Sequence, residues 1–169
     1  MLKLQAQSTI RHYRLPSPHK DVEIEEDSIT NKMKVWESHI GESCVFDGEG
    51  EDINIIKTLF SGLNEEDITL HHSGKVRYYK DDVNSDKDKL EIALIEMSEY
   101  IYILALYEGR QCYPFDSSKS VSLHGYSIDQ LIRKIDKVYN SIYKVVVGDY
   151  TKDEKDDMVD SILEEIMES

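Results

Sequence analysis

The sequence predicts an α+β fold: a single domain with a mainly antiparallel sheet packed by two C-terminal amphipathic helices, and shorter helices toward the N-terminus. Three observations lead there. Ser127 with Gln130 and Thr151 with Glu154 form two capping-box openings, each followed by an apolar pattern of helical period. The middle of the chain, residues 68–107, is rich in Ile and Tyr, which suit a pleated surface. The length of 169 residues, 40% of them hydrophobic, supports a core without disulfide staples.

Residues 2–10 (LKLQAQSTI) alternate weakly, as a strand does. Pro16 and Pro18 remove donors within residues 11–20 (RHYRLPSPHK), which therefore read as a basic linker or arm. Residues 21–26 alternate Val22 and Ile24 with acids, a short half-buried strand. Residues 28–40 suggest a helix, because Ile29, Met33, Trp36 and Ile40 share a helical face and Gly41 follows. Residues 47–50 (DGEG) form a turn, and residues 52–61 a helix with Ile55, Ile56, Leu59 and Phe60 on one face.

A hairpin is expected over residues 68–80, turning at Ser73-Gly74, followed by a polar loop over residues 81–89. Residues 90–107 satisfy a helical stripe through Leu90, Leu94, Met97, Ile101 and Leu104. Their β-rich content and the Ser98-Glu99 break favour two strands. A turn at Glu108-Gly109 leads to a further strand around residues 111–115, which Pro114 confines to an edge or an end. Ile128, Leu131, Ile135, Val138 and Ile142 then mark a long helix ending at Gly148. Val159, Ile162, Leu163 and Ile166 mark a last one. No internal repeat is present.

Acids outnumber Lys plus Arg by 34 to 20, a net charge of −14. The imbalance is uneven. Residues 1–20 hold Lys3, Arg11, Arg14 and Lys20 and no acid, so residues 21–169, with 16 bases against 34 acids, carry −18. The organisation read from this is a basic N-terminal strand and linker, 1–20, before an acidic α+β domain, 21–169. Such a body repels phosphate, which disfavours direct nucleic-acid binding and favours a cationic partner. No apolar run approaches the roughly 18 residues of a membrane span. The first residues lack the apolar core of a secretory signal, so a cytoplasmic location is expected. Eighteen Ile and 11 Tyr against three Ala suggest an AT-rich genome, such as that of a low-GC bacterium, its phage or a mobile element.

Motif by motif, catalytic chemistry finds little support. Asp82, Asn84, Asp86 and Asp88 occupy alternating positions of a calcium loop. Lys87, however, stands where the sharp turn needs Gly, and Ala93 where a bidentate Glu belongs. His71-His72, adjacent on a strand, should point to opposite faces, with His72 packed and His71 exposed, which prevents joint chelation. Cys44 and Cys112 are 68 residues apart without a CxxC pair, and buried reduced thiols are expected. Cys112 and His124 would pair as nucleophile and base only by tertiary proximity, since no local signature accompanies them. Glycine-rich phosphate loops, the zinc-protease helix and the nucleophile elbow are all missing. The expectation is a protein without catalytic residues, metal or cofactor.

The last helix is the most suggestive segment. Asp153, Asp157, Asp160, Glu164 and Glu168 recur at helical spacing with Asp156 beside them. Steps of about 4.5–6 Å along the axis are comparable to phosphate spacing on a nucleic-acid strand. These six residues are the candidate partner-binding site. Tyr78-Tyr79, Tyr100, Tyr102, Tyr107 and Tyr113 add rigid, amphipathic contact area of the kind interfaces favour. The expected function is an acidic protein-binding module that docks on a basic surface of a nucleic-acid-handling protein, most simply an inhibitor of anti-defence or immunity type. A structural subunit that self-associates through the last helix or the first strand is the alternative.

Overall fold

A computed structural model describes residues 1–37, 43–46, 51–81, 89–97, 100–115, 120–122 and 125–168. The chain is α+β, with three α-helices among the described residues. It forms two compact units, Ala6–Val76 and Met1–Gln5 with Arg77–Ser169.

In the unit Ala6–Val76, β1 (Leu2–Arg14), β2 (Val22–Asp27), β3 (Met33–Glu37) and β4 (Ser43–Phe46) pair in sequence, each antiparallel to the next. The first half of β5 (Thr69–Asp81) flanks β1 on its other side. Arg11 faces Ile24, Tyr13 faces Val22, and Ile24 faces Val35. The two-residue period of a strand therefore puts these side chains on one face and His12, Glu23 and Glu25 on the other. Ile55 and Ile56 of α1 (Asp52–Leu59) join the first face in a core with Tyr13, Val22, Ile24, Met33 and Val35.

Three expectations fail in this unit. Arg11–Arg14 belong to β1, because β2 supplies ladder partners for Arg11, His12 and Tyr13 and the proline constraint begins only at Pro16. Residues 28–40 do not open a helix. The Asp27 carboxylate accepts the amides of Ile29 (2.8 Å) and Thr30 (2.9 Å), Asn31 adopts φ 59°, and the chain turns back into β3. Ile29, the first residue of the supposed stripe, is 85% exposed, while Met33 and Val35 are buried by strand alternation. Residues 68–80 form no hairpin either. Gly74 is not among the glycines of positive φ, so Ser73-Gly74 stays extended and β5 runs on for 13 residues. The DGEG turn lies outside the described residues.

In the other unit, β6 (Leu90–Met97) and β7 (Tyr100–Tyr107) pair antiparallel from Leu90–Tyr107 to Met97–Tyr100, the two strands expected. The short β8 (Arg110–Gln111) and β9 (Ser120–Ser122) both pair with β7. The strand expected over residues 111–115 stops at Gln111. The chain turns so that Ala105 bonds the Phe115 carbonyl (3.2 Å) and receives the Cys112 amide (2.9 Å), which buries Phe115.

Ser127 caps α2 (Ile128–Val147) with both halves of its box in place. Leu131, Ile135, Val138 and Ile142 pack with Leu90, Ile92, Leu94, Ile101 and Ile103. Val159, Ile162 and Ile166 of α3 (Lys152–Met167) complete the same core. Each such aliphatic side chain contributes about 1.5–3 kcal/mol on burial. The Tyr139 hydroxyl donates to the Leu90 carbonyl at 3.1 Å, tying α2 to β6. No helix among the described residues is long and apolar enough to cross a membrane.

Candidate functional site

The acidic row is built by helix geometry. At roughly 100° per residue, Asp153, Asp156, Asp157, Asp160, Glu164 and Glu168 fall within about a third of the helix circumference. Val159, Ile162 and Ile166 fall on the opposite side, in the core. Packing of the apolar side thus turns the acids outward: Asp153, Asp157, Asp160, Glu164 and Glu168 are exposed and Asp156 is half-buried. Seven acids against two lysines within α3, and an eighth acid at its C-cap Glu168, make the helix strongly anionic over about 22 Å of axis.

The Thr151 hydroxyl accepts the Glu154 amide at 3.2 Å and donates to the Glu154 carboxylate at 3.1 Å, which fixes the start of α3. Asp153 and Glu154 there also complement the positive end of the helix dipole. The far end carries carboxylates against the dipole, and α2 compensates. Lys134 donates to the Glu168 carbonyl at 2.7 Å while lying 4.3 Å from the Tyr126 ring centre, and the Tyr126 hydroxyl donates to the Met167 carbonyl at 3.1 Å. Sequence reasoning missed these caps, because Lys134 and Glu168 are brought together only by helix pairing.

Five of the six predicted site residues thus form an open row, and Asp156 is held by the Tyr113 hydroxyl at 2.5 Å. Among the described residues no ion pair takes up Asp153, Asp157, Asp160 or Glu164. Tyr113 and Tyr150 with Lys152 and Lys155 border an open depression at the base of the row. Tyr100 and Tyr102 are exposed on β7, alternating with the buried Ile101 and Ile103.

A second cluster occupies the unit Ala6–Val76. His12 stacks on His72 with ring centres 4.7 Å apart and an 18° tilt, and His71 lies 4.7 Å from His72 and 5.7 Å from His12. The His12 Nδ1 faces Glu23 at 3.3 Å and its Nε2 faces Asp21 at 3.1 Å. Burial pushes the Asp21 carboxyl up, but the His12 and Leu15 hydrogen bonds and the charges of His12 and Arg14 outweigh it, and the net direction is down. His71 and His72 therefore do not diverge as expected; both are exposed, and both rings gather at His12. The signal was split between residues 12 and 71–72, which only strand pairing unites. Among the described residues no group of three or more His, Cys, Asp or Glu side chains is placed to hold a metal ion.

The remaining candidates are modest. Cys112 is a free thiol, half-buried rather than buried, with Sγ 3.3 Å from the Arg110 carbonyl. His124, the Cys44 side chain and the calcium-like residues Asp82, Asn84, Asp86 and Asp88 lie outside the described residues. No protein-family model, no curated protein and no solved structure matches the chain.

Proposed function

We propose that the chain is an acidic, non-catalytic protein-binding module that inhibits a nucleic-acid-handling protein by occupying its basic surface. The observation that supports this reading is the exposed row Asp153, Asp157, Asp160, Glu164 and Glu168 on a helix whose opposite side is anchored in the core. A rigid anionic row responds to the same lysines and arginines that grip phosphates, and the net charge of −14 speeds encounter with a cationic target. Exposed Tyr100 and Tyr102 supply contact area of the kind that slows dissociation. The apolar stripe a self-associating subunit would offer is engaged within the chain's own core, which weighs against that alternative.

The test is capture of partners by the tagged chain from its source lysate at low and high salt, followed by binding of the purified partner to the double variant Asp157→Lys/Asp160→Lys. A nucleic-acid-handling protein that binds the parent chain at least about tenfold more tightly than the variant at low salt, and loses nucleic acid on binding, supports the proposal. Unchanged affinity of the variant places the docking face elsewhere. Recovery of the bait alone overturns the inhibitor reading.

A further inference from the structure

We propose that His12, His71 and His72 form a proton-sensitive latch that holds the first half of β5 beside β1 and releases it when His71 and His72 become charged. Three geometric facts carry the inference. The His12 nitrogens face carboxylates on both sides, Asp21 at 3.1 Å and Glu23 at 3.3 Å, and only the doubly protonated ring can donate to both. A ring that donates to both, together with the Arg14 guanidinium, balances the two carboxylates, and a further positive ring would have no carboxylate of its own. The His71 Nε2 lies 3.2 Å from the Arg14 guanidinium, which can only donate, so His71 is a neutral acceptor there. A proton on that nitrogen removes the hydrogen bond and sets two cations against each other. His72 stacks face to face on the His12 ring, where a second imidazolium meets the first at 4.7 Å.

The charged groups around His72 are His12 and Arg14 from β1, His71 from β5 and Glu23 from β2. Burial, then the charges of His12 and His71, with a smaller push from Arg14, hold the His72 ring below its ordinary value of 6.5 against the pull of Glu23. The sign follows. For His72 the latched state disfavours the proton, so the released state binds more protons there, and release is favoured as pH falls below about 6.5. The segment it holds is suited to opening, because Thr69, Leu70, His71, His72 and Ser73 are all exposed and bring no buried apolar contact of their own. With no metal-holding geometry among the described residues, protons are the ligand this cluster fits.

Native-state hydrogen exchange on the full chain at pH 7.5 and pH 5.0, corrected for the intrinsic chemical rate, tests the latch. Amides of residues 69–73 should lose protection by about tenfold at the lower pH, while those of α2 keep theirs. The double variant His71→Phe/His72→Phe, which keeps the rings and removes their protons, should lose that difference. If it does not fold, His71→Gln/His72→Gln serves the same purpose. Equal protection of residues 69–73 at both pH values in the parent chain overturns the proposal, as does an undiminished loss in the foldable double variant.

Discussion

The Arg11 guanidinium grips the Asp52 carboxylate with two nitrogens, Nε to Oδ2 and Nη2 to Oδ1, the latter at 2.9 Å, joining β1 to the first turn of α1. The Tyr13 hydroxyl donates to the same carboxylate at 2.5 Å. Asp52 therefore collects three donors at a helix start, where the dipole also favours its charge. Removing it as Asp52→Ala leaves a mostly buried guanidinium without its main partner. Urea unfolding should show a loss of about 2–3 kcal/mol, below the full range for buried pairs because both side chains retain some solvent contact. Asp52→Asn, which keeps an acceptor, should cost less; equal losses would show that shape rather than charge matters there.

The same contact makes the protein sensitive to alkali. Burial and the Asp52 hydrogen bond push the Tyr13 hydroxyl well above its ordinary value of 10.0, and burial pushes Tyr79 upward too. A group whose folded pKa is raised stabilises the fold fully below its unfolded value and loses that contribution as pH climbs through the folded one. Stability should therefore fall as pH rises above about 10. Tyr13→Phe should flatten part of that decline, read as thermal midpoints between pH 9 and 11.

The hairpin between β7 and β8 turns on two residues, Glu108 at φ 53° and Gly109 at φ 82°, between the paired Tyr107 and Arg110. Both positive angles mark the primed turn that matches strand twist. A methyl at Gly109 meets open space, so Gly109→Ala isolates the backbone penalty, about 1–2 kcal/mol. Glu108→Asn should be neutral or stabilising in the same denaturation assay. A Gly109→Ala variant as stable as the parent would contradict the turn geometry.

Ile142 on α2 and Ile166 on α3 are both buried in one core. Ile142→Ala should cost about 2–5 kcal/mol, with the larger values if the void cannot collapse. Ile166→Ala, in the last turn of α3, should cost less and fray that turn, visible as faster amide exchange over residues 162–167.

The legible part of this fold is the part governed by local rules. Ser127 and Thr151 marked their helix starts, because a hydroxyl accepting an amide three residues on is a neighbourhood event. Residues 28–40 misled because Ile29, Met33, Trp36 and Ile40 fit a helical template by spacing alone. The Asp27 side chain had already committed its neighbours to a turn. Ser73-Gly74 misled for the converse reason: a favourable turn pair stays extended when β1 lies alongside. Of the candidate site, the acidic row was visible as a helical repeat. The Lys134 cap and the meeting of His12 with His71 and His72 were not, since each depends on pairing between distant segments.

The Leu2 amide donates to the Asp136 carboxylate at 2.8 Å, across 134 residues of sequence. Synthesis runs from Leu2 toward Asp136, so the opening residues of β1 are made well before their partner and wait for it. Until α2 has emerged, this stretch has no native anchor at that position and stands open to chaperones, proteases or the strands of a neighbouring nascent chain. A charged tag fused ahead of Leu2 would sit beside that late-forming contact.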